Sequence, residues 1–310
     1  MRERAGRATR LVVRAPYHLE ATVRVLQRRP SNPLDRWERA TYLRALTLTG
    51  GTALVEVRNR GSIDAPDVRL RVLGGGVSGP MRLEAARTVR RMLGLDLDPE
   101  PLQTLRAVNG TLSATVRALR GMRPPRFADL FEAFANVVPF QQLSLDAGVA
   151  IVARLVHRFG AHVEHGGRRC RAFPTAATVG QARVPSLRAC GLSTRKAQGL
   201  RAIARAIADG ELSEARLSAM ATPDALAALS GLPGIGPWSA GLVMLRGLGR
   251  TDVFPPGDVG ALRGLRELLH AGPRARLERV VERCGDRRGY LYFCILGRYL
   301  LERGLIHAAR

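Results

Sequence analysis

The chain has 310 residues, 46% of them hydrophobic, enough for two or three packed units that need neither metal nor disulfide to hold a core. Its 49 basic residues against 26 acidic ones leave a net charge of +23, a field that favours a polyanionic partner, nucleic acid first. Apolar runs such as 143–156 and 291–301 are broken by charges and glycines well short of the roughly 20 residues a membrane span requires, and Met1-Arg2-Glu3-Arg4 opens no secretory signal. A soluble, cytoplasmic protein is expected.

In chain order, residues 11–13, 42–48, 52–57 and 68–72 are strand-like patches separated by Gly and Pro. Two amphipathic helices are predicted around them, over 19–27 and 80–93, the second with Leu83, Ala86, Val89, Arg90 and Leu93 on one face. These elements make an α+β domain, assigned to residues 1–122. Arg123-Pro124-Pro125-Arg126 marks the next boundary, because consecutive prolines exclude continuous helix.

From 123 to 310 the pattern is helix after helix. Phe127, Leu130, Phe131, Phe134 and Val138 form one apolar face. Leu143, Val149, Val152, Leu155, Val156 and Phe159 mark a long helix apolar nearly all round, which implies burial. Leu200, Ile203, Ala204 and Ile207 repeat the spacing, and Thr222-Pro223-Asp224 reads as a helix start with a hydroxyl cap, a proline in the first turn and an acid on the helix dipole.

Cys170, Cys190, Cys284 and Cys294 show no CxxC pair and no zinc-finger histidine spacing, so they read as ordinary buried thiols. His162 and His165 stand beside Gly166-Gly167 in an apparent loop and read as solvent-exposed side chains, so no metal ligand is expected. Lys196 is the only lysine, so the positive charge is almost all arginine.

Residues 226–247 read as helix, tight hairpin, helix around Gly231-Leu232-Pro233-Gly234-Ile235-Gly236-Pro237-Trp238-Ser239-Ala240. Gly234 and Gly236 can adopt positive φ and leave the backbone bare, and amides beside a helix N-terminus make an anion cradle suited to a DNA phosphate. The plainer reading is a helix connector. Some twenty residues on, Asp258 precedes an amphipathic helix marked by Val259, Leu262, Leu265 and Leu269; taken alone it is a helix cap or a catalytic carboxylate.

The run GLPGIGPWSA followed by DVFPPGD resembles the signature of the helix-hairpin-helix DNA glycosylase superfamily, most closely its 3-methyladenine DNA glycosylase II family. Phe140-Gln141-Gln142-Leu143-Ser144, Phe173-Pro174-Thr175 and the segment 191–197 extend the resemblance, which is strong over 124–305 and weaker over 10–122. It implies a mainly α fold with an N-terminal α+β domain, in which two helical subdomains flank an active-site cleft. It also implies that Asp258 is the catalytic carboxylate facing the sugar, and that Trp238, Gln141 and Tyr290 belong to the base pocket. Gln142 would be the wedge in the duplex, while Leu232, Gly234, Ile235, Gly236 and Ser239 of the hairpin would hold DNA.

The implied activity is hydrolysis of the N-glycosidic bond of a flipped alkylated purine, such as 3-methyladenine, in double-stranded DNA, leaving an abasic site. The implied protein is a monomer without a cofactor, a monovalent cation at the hairpin being the one ion considered. In the bifunctional branches a lysine stands where this chain has Trp238, and Lys196 lies elsewhere, so no strand cleavage is expected. The four-cysteine loop of iron–sulfur relatives is missing from the sequence, so no such cluster is expected.

Three departures bear on the substrate. Val25, Leu242 and Leu296 occupy positions where the related bacterial enzyme has aromatic pocket residues, with Tyr17, Tyr290, Tyr292 and Phe293 as candidates to compensate. Gly257 replaces an acidic residue often found before the catalytic aspartate. The alternatives are a glycosylase for an oxidised or deaminated base, and a non-catalytic DNA-binding protein whose Asp258 merely caps a helix.

Overall fold

The structure, a computed structural model, describes residues 8–309; the Met1–Arg4 start read above lies outside them. Five antiparallel strands form a sheet in the order β1-β5-β4-β3-β2: β1 (Thr9–Leu11), β2 (Arg36–Glu38), β3 (Thr41–Leu48), β4 (Gly51–Asn59) and β5 (Val68–Leu73). Helix α1 (Leu19–Gln27) enters between β1 and β2, and α2 (Gly79–Met92) follows β5. Alternation along β4 sends Ala53, Val55 and Val57 to one face, where Val23 and Leu26 of α1 and Ala85, Val89 and Met92 of α2 cover them. Each Val, Leu or Met side chain among them contributes roughly 1.5 to 3 kcal/mol when fully buried. The face of α2 is therefore Met81, Ala85, Val89 and Met92; Leu83, expected on it, is 63% exposed.

Helices α3 (Glu100–Val108) and α4 (Ser113–Ala118) come next, and Leu102, Leu105, Val116 and Leu119 join the helical core rather than the sheet. Then follow α5 (Leu130–Ala135) and α6 (Leu145–Phe159), whose buried face is Val149, Val152, Leu155 and Val156 while Arg154, His157 and Arg158 face solvent. The helix is thus buried on one side only, and Leu143, read into it, precedes it and is 46% exposed. A hairpin of β6 (His162–His165) and β7 (Arg168–Arg171) is where a loop was expected. It pairs because Val163 and Ala172 cover Ala45, Leu54 and Leu73 on the back of the sheet, so the one hydrophobic patch left there is buried.

The remaining helices are α7 (Ala176–Gln181), α8 (Val184–Arg188), α9 (Thr194–Ala208), α10 (Glu214–Ala219), α11 (Thr222–Ser230), α12 (Pro237–Leu242), α13 (Val259–Leu268), α14 (Leu277–Arg283) and α15 (Arg288–Glu302). A π-helical turn over 243–248 extends α12. Thr222 does not cap α11: its hydroxyl donates to Asp252 at 2.5 Å and Ala221 takes the cap position. The aliphatic and aromatic faces of α5, α6, α9, α12, α13 and α15 meet in one core, with Phe134, Val243, Leu265 and Phe293 at its centre. Among the described residues no helix is long and apolar enough to cross a membrane.

A buried ion cluster joins the sheet to the helices. Arg44 of β3 pairs with Asp35 and with Glu132 of α5, and the Tyr42 hydroxyl donates to the same Asp35 carboxylate at 2.7 Å. One guanidinium between two carboxylates leaves a negative charge over, and burial pushes the Glu132 carboxyl up to about 7.

Candidate active site

A cleft of about 1490 Å³ opens between α1 and the α13–α15 pair on one side and the 138–145 loop, the start of α9 and the hairpin on the other. The hairpin is as read: α11, a turn over 231–236, then α12. Gly234 has φ +78, the left-handed conformation that favours glycine, whereas Gly236, expected to share it, is extended at φ −93 and ψ −179. A Cβ built on either would meet nothing within 4 Å, so the backbone is bare there. Beyond it the first amides of α12 have no intrahelical acceptor, and the helix dipole adds positive potential at the same point.

Asp258 reaches the cleft through two local devices. Gly241 of α12 has no side chain, and a Cβ there would meet Pro255 at 2.9 Å and Pro256 at 2.8 Å, so the Pro255-Pro256 loop lies directly on the helix. Gly257 at φ +68 then turns the chain into α13. The Asp258 carboxylate is shared: Oδ1 accepts the Ala261 amide at 2.8 Å as the cap of α13, and Oδ2 accepts Trp238 Nε1–H at 3.0 Å. Capping and site membership, alternatives in the sequence, hold together because the carboxylate has two oxygens. Both residues are half-buried and line the cleft.

Gln141 also lines the cleft, and its side-chain amide donates to Gly234 O at 2.8 Å and to Ser239 Oγ at 2.9 Å, so it clamps the 138–145 loop to the hairpin. Gln142 is exposed at the rim with φ +57, a conformation that costs a non-glycine residue about 1 kcal/mol or more. Phe140 supports this loop from below, its ring resting on Gly148 of α6, where a Cβ would collide with it. Leu232 is half-buried, while Ile235 (4% exposed) and Ser239 (2%) face inward to pin the hairpin, and their backbone forms its rim. In the hairpin, Leu232 O accepts Ile235 N–H and Gly234 O accepts the Gln141 side-chain amide, which leaves one lone pair on each carbonyl.

Two expectations need correction. Tyr290 is 4% exposed and does not line the cleft; burial, with the charges of Arg123 and Asp98 acting on it, raises its phenol above the ordinary value. Two residues on, roughly 200° further round α15, Tyr292 lines the cleft instead, packed edge-on against Phe254. Burial, then the charge of Asp258, pushes the Tyr292 phenol well above its ordinary value. Lys196 does not lie elsewhere: it lines the same cleft from the first turn of α9, with Nζ donating to Gln141 O at 2.6 Å and to Pro139 O at 3.5 Å. Of the residues that break the aromatic pattern, Leu242 and Leu296 line the cleft, and Val25, Tyr17 and Phe293 are fully buried. Sequence reasoning missed Arg28, which also lines the cleft; nothing in a helix-ending Gln-Arg-Arg-Pro run distinguishes it from a solvated charge.

The comparisons with known proteins agree on this architecture. The model of the HhH-GPD superfamily of base excision DNA repair proteins matches residues 136–285, and that of the AlkA N-terminal domain matches 8–129. A DNA-3-methyladenine glycosylase of Bacillus subtilis is 28% identical over 65% of this chain and 66% of its own length; a putative DNA-3-methyladenine glycosylase of the same organism is 28% identical over 82% and 85%. The solved 3-methyladenine DNA glycosylase of Archaeoglobus fulgidus superposes with a TM-score of 0.77 at 26% identity, covering 96% of this chain and all of that one. With both family domains in tandem and one fold shared end to end, the chain belongs to the helix-hairpin-helix superfamily of base excision DNA repair proteins, in its AlkA-like family.

Proposed function

We propose that this protein is a monofunctional DNA glycosylase that hydrolyses the N-glycosidic bond of alkylated purines, 3-methyladenine among them, and leaves an abasic site. The observation that carries the reading is the Trp238 Nε1–Asp258 Oδ2 contact inside a basic cleft whose rim is the hairpin. A base must leave the stack to enter such a cleft, which costs roughly a few kcal/mol and least for a damaged pair. Gln142 at the rim fills the gap in the duplex, and the hairpin amides hold the flanking phosphate. The extruded base lies against Trp238, whose electron-rich face attracts the positive charge of an alkylated purine.

As the base departs, the sugar gains oxocarbenium character. Asp258 Oδ2 beside it supplies charge stabilisation worth about 4 kcal/mol at 4 Å and an effective dielectric near 20, about three decades in rate. The same oxygen orients the attacking water and takes its proton. The second oxygen stays on the Ala261 amide, which fixes the carboxylate's direction.

Trp238 stands where a strand-cleaving relative needs an amine, and the Lys196 ammonium is held by the Gln141 and Pro139 carbonyls rather than free to attack a sugar. The reading places the protein as a monomer on cytoplasmic DNA, nucleoid-associated in a bacterial cell. Incubation with methylated duplex DNA should release alkylated purines with the wild type and about a thousandfold more slowly with Asp258→Asn. Borohydride should trap no covalent protein–DNA adduct. Equal release by both proteins would remove the enzyme reading, and a trapped adduct would remove the monofunctional one.

A further inference from the structure

The cleft carries a charge that the mechanism above does not use. Arg28 follows α1 at φ +62, and its guanidinium lies 4.8 Å from the centre of the Phe140 ring and 5.6 Å from that of Phe127. Among the described residues its side chain meets no hydrogen-bond acceptor. Arg246 behind it is 1% exposed, with Nε and Nη1 occluded and unpartnered, yet none of Arg28's nitrogens is occluded in this way. The Arg28 donors therefore open onto the cleft, which Arg28 lines together with Phe140 and Tyr292.

The groups that share the cleft say what those donors meet. Tyr292, whose phenol feels the charges of Asp258, Arg246 and Arg28, lines the same cleft as Asp258 and Arg28. A base whose sugar sits at Asp258 enters the cleft that Arg28 lines.

We propose that Arg28 is a specificity-determining residue that reads the edge of the extruded purine and favours a carbonyl oxygen at C6, making alkylated guanines the preferred lesions. This rests on the glycosylase reading and deepens it. A guanidinium fork has donors only; guanine offers O6 and N7 as acceptors side by side, whereas adenine sets an amino group against the fork at C6. An alkylated purine is itself cationic, so its approach to Arg28 carries a like-charge cost that an acceptor oxygen offsets and an amino group does not. Leu242 and Leu296, aliphatic where the related enzyme has aromatic rings, leave less stacking surface to bind every alkylated base alike.

The test uses 3-methylguanine and 3-methyladenine in otherwise identical duplexes, alkylated at the same nitrogen and differing on this edge, with release rates divided by spontaneous depurination. Wild type should accelerate loss of 3-methylguanine at least about tenfold more than that of 3-methyladenine. Arg28→Met should lower kcat/KM for 3-methylguanine by about ten- to a hundredfold and for 3-methyladenine by less than about threefold. Arg28→Gln, whose amide offers an acceptor as well as donors, should bring the two lesions nearly level. A wild-type ratio near one, or variants that slow both lesions equally, overturns the proposal. If the variants do not fold, the wild-type ratio decides alone. Release of neither base by the wild type, with Asp258→Asn indistinguishable from it, fails the glycosylase reading itself and is separate from either ratio.

Discussion

Arg44 in the sheet and Arg28 in the cleft are both arginines drawn into the interior, and their surroundings are opposite. Arg44 is 1% exposed and closed on both arms, by Asp35 and by Glu132, with Tyr42 completing the Asp35 shell. Arg28 rests on two phenyl faces with its donors open. A buried charge that finds its counter-charges at home is a joint, here between the sheet and α5. A charge held by rings alone, lining a cleft, has hydrogen bonds left for a ligand.

The comparison breaks first at Arg44. Replacing it by Met strands two buried carboxylates, which costs about 3 to 5 kcal/mol and should lower the thermal midpoint by on the order of 10 °C, while base release per folded molecule stays unchanged. Calorimetry beside single-turnover release checks both halves, and a loss of rate in the folded fraction would merge the two regions into one.

Asp258→Asn reverses the pattern. Asn caps a helix as well as Asp does, so the midpoint should hold to within about 1 °C. Single-turnover release should fall by about three decades, or roughly 4 kcal/mol of transition-state stabilisation.

Lys196→Met is smaller. It leaves the Gln141 carbonyl without its charged donor and loosens the loop that carries Gln142. Release from duplex should slow by about tenfold, with release from single-stranded DNA unchanged because no stack needs filling. Equal slowing on both would make Lys196 part of the pocket rather than of the wedge.

The mildest effect is on pH. The folded Glu132 carboxyl is raised from its ordinary 4.5 to about 7, by burial first, so the folded state binds the proton more tightly than the unfolded one. Its contribution is then most favourable below about pH 4.5 and is lost as pH rises to about 7. Thermal midpoints measured between pH 5 and 8 should fall along this window, and Glu132→Gln should flatten the fall.

Much of the fold was legible because local rules and tertiary packing agreed. The strand-like patches at 42–48 and 52–57 became β3 and β4, and the 19–27 helix became α1 with the predicted bounds. Agreement failed where a neighbour decided: Val163 made a strand of an apparent loop by covering the back of the sheet, and Leu83 turned outward because Met81 and Ala85 fit the sheet better. In the cleft, the hairpin and the GD turn that presents Asp258 are runs of glycine and proline, whose backbone demands are written in residue type.

The sequence by itself determined which family this chain joins and which carboxylate lies after the hairpin, since both rest on short contiguous runs. Only the tertiary structure decided that Tyr292 rather than Tyr290 enters the cleft, that Lys196 holds the Gln141 carbonyl, and that Arg28 is unpaired beside Arg246. Those facts depend on helix phase and on residues as far apart as 28, 140 and 292 meeting in space, and a side chain's partners at that separation are set by packing, not by its neighbours along the chain.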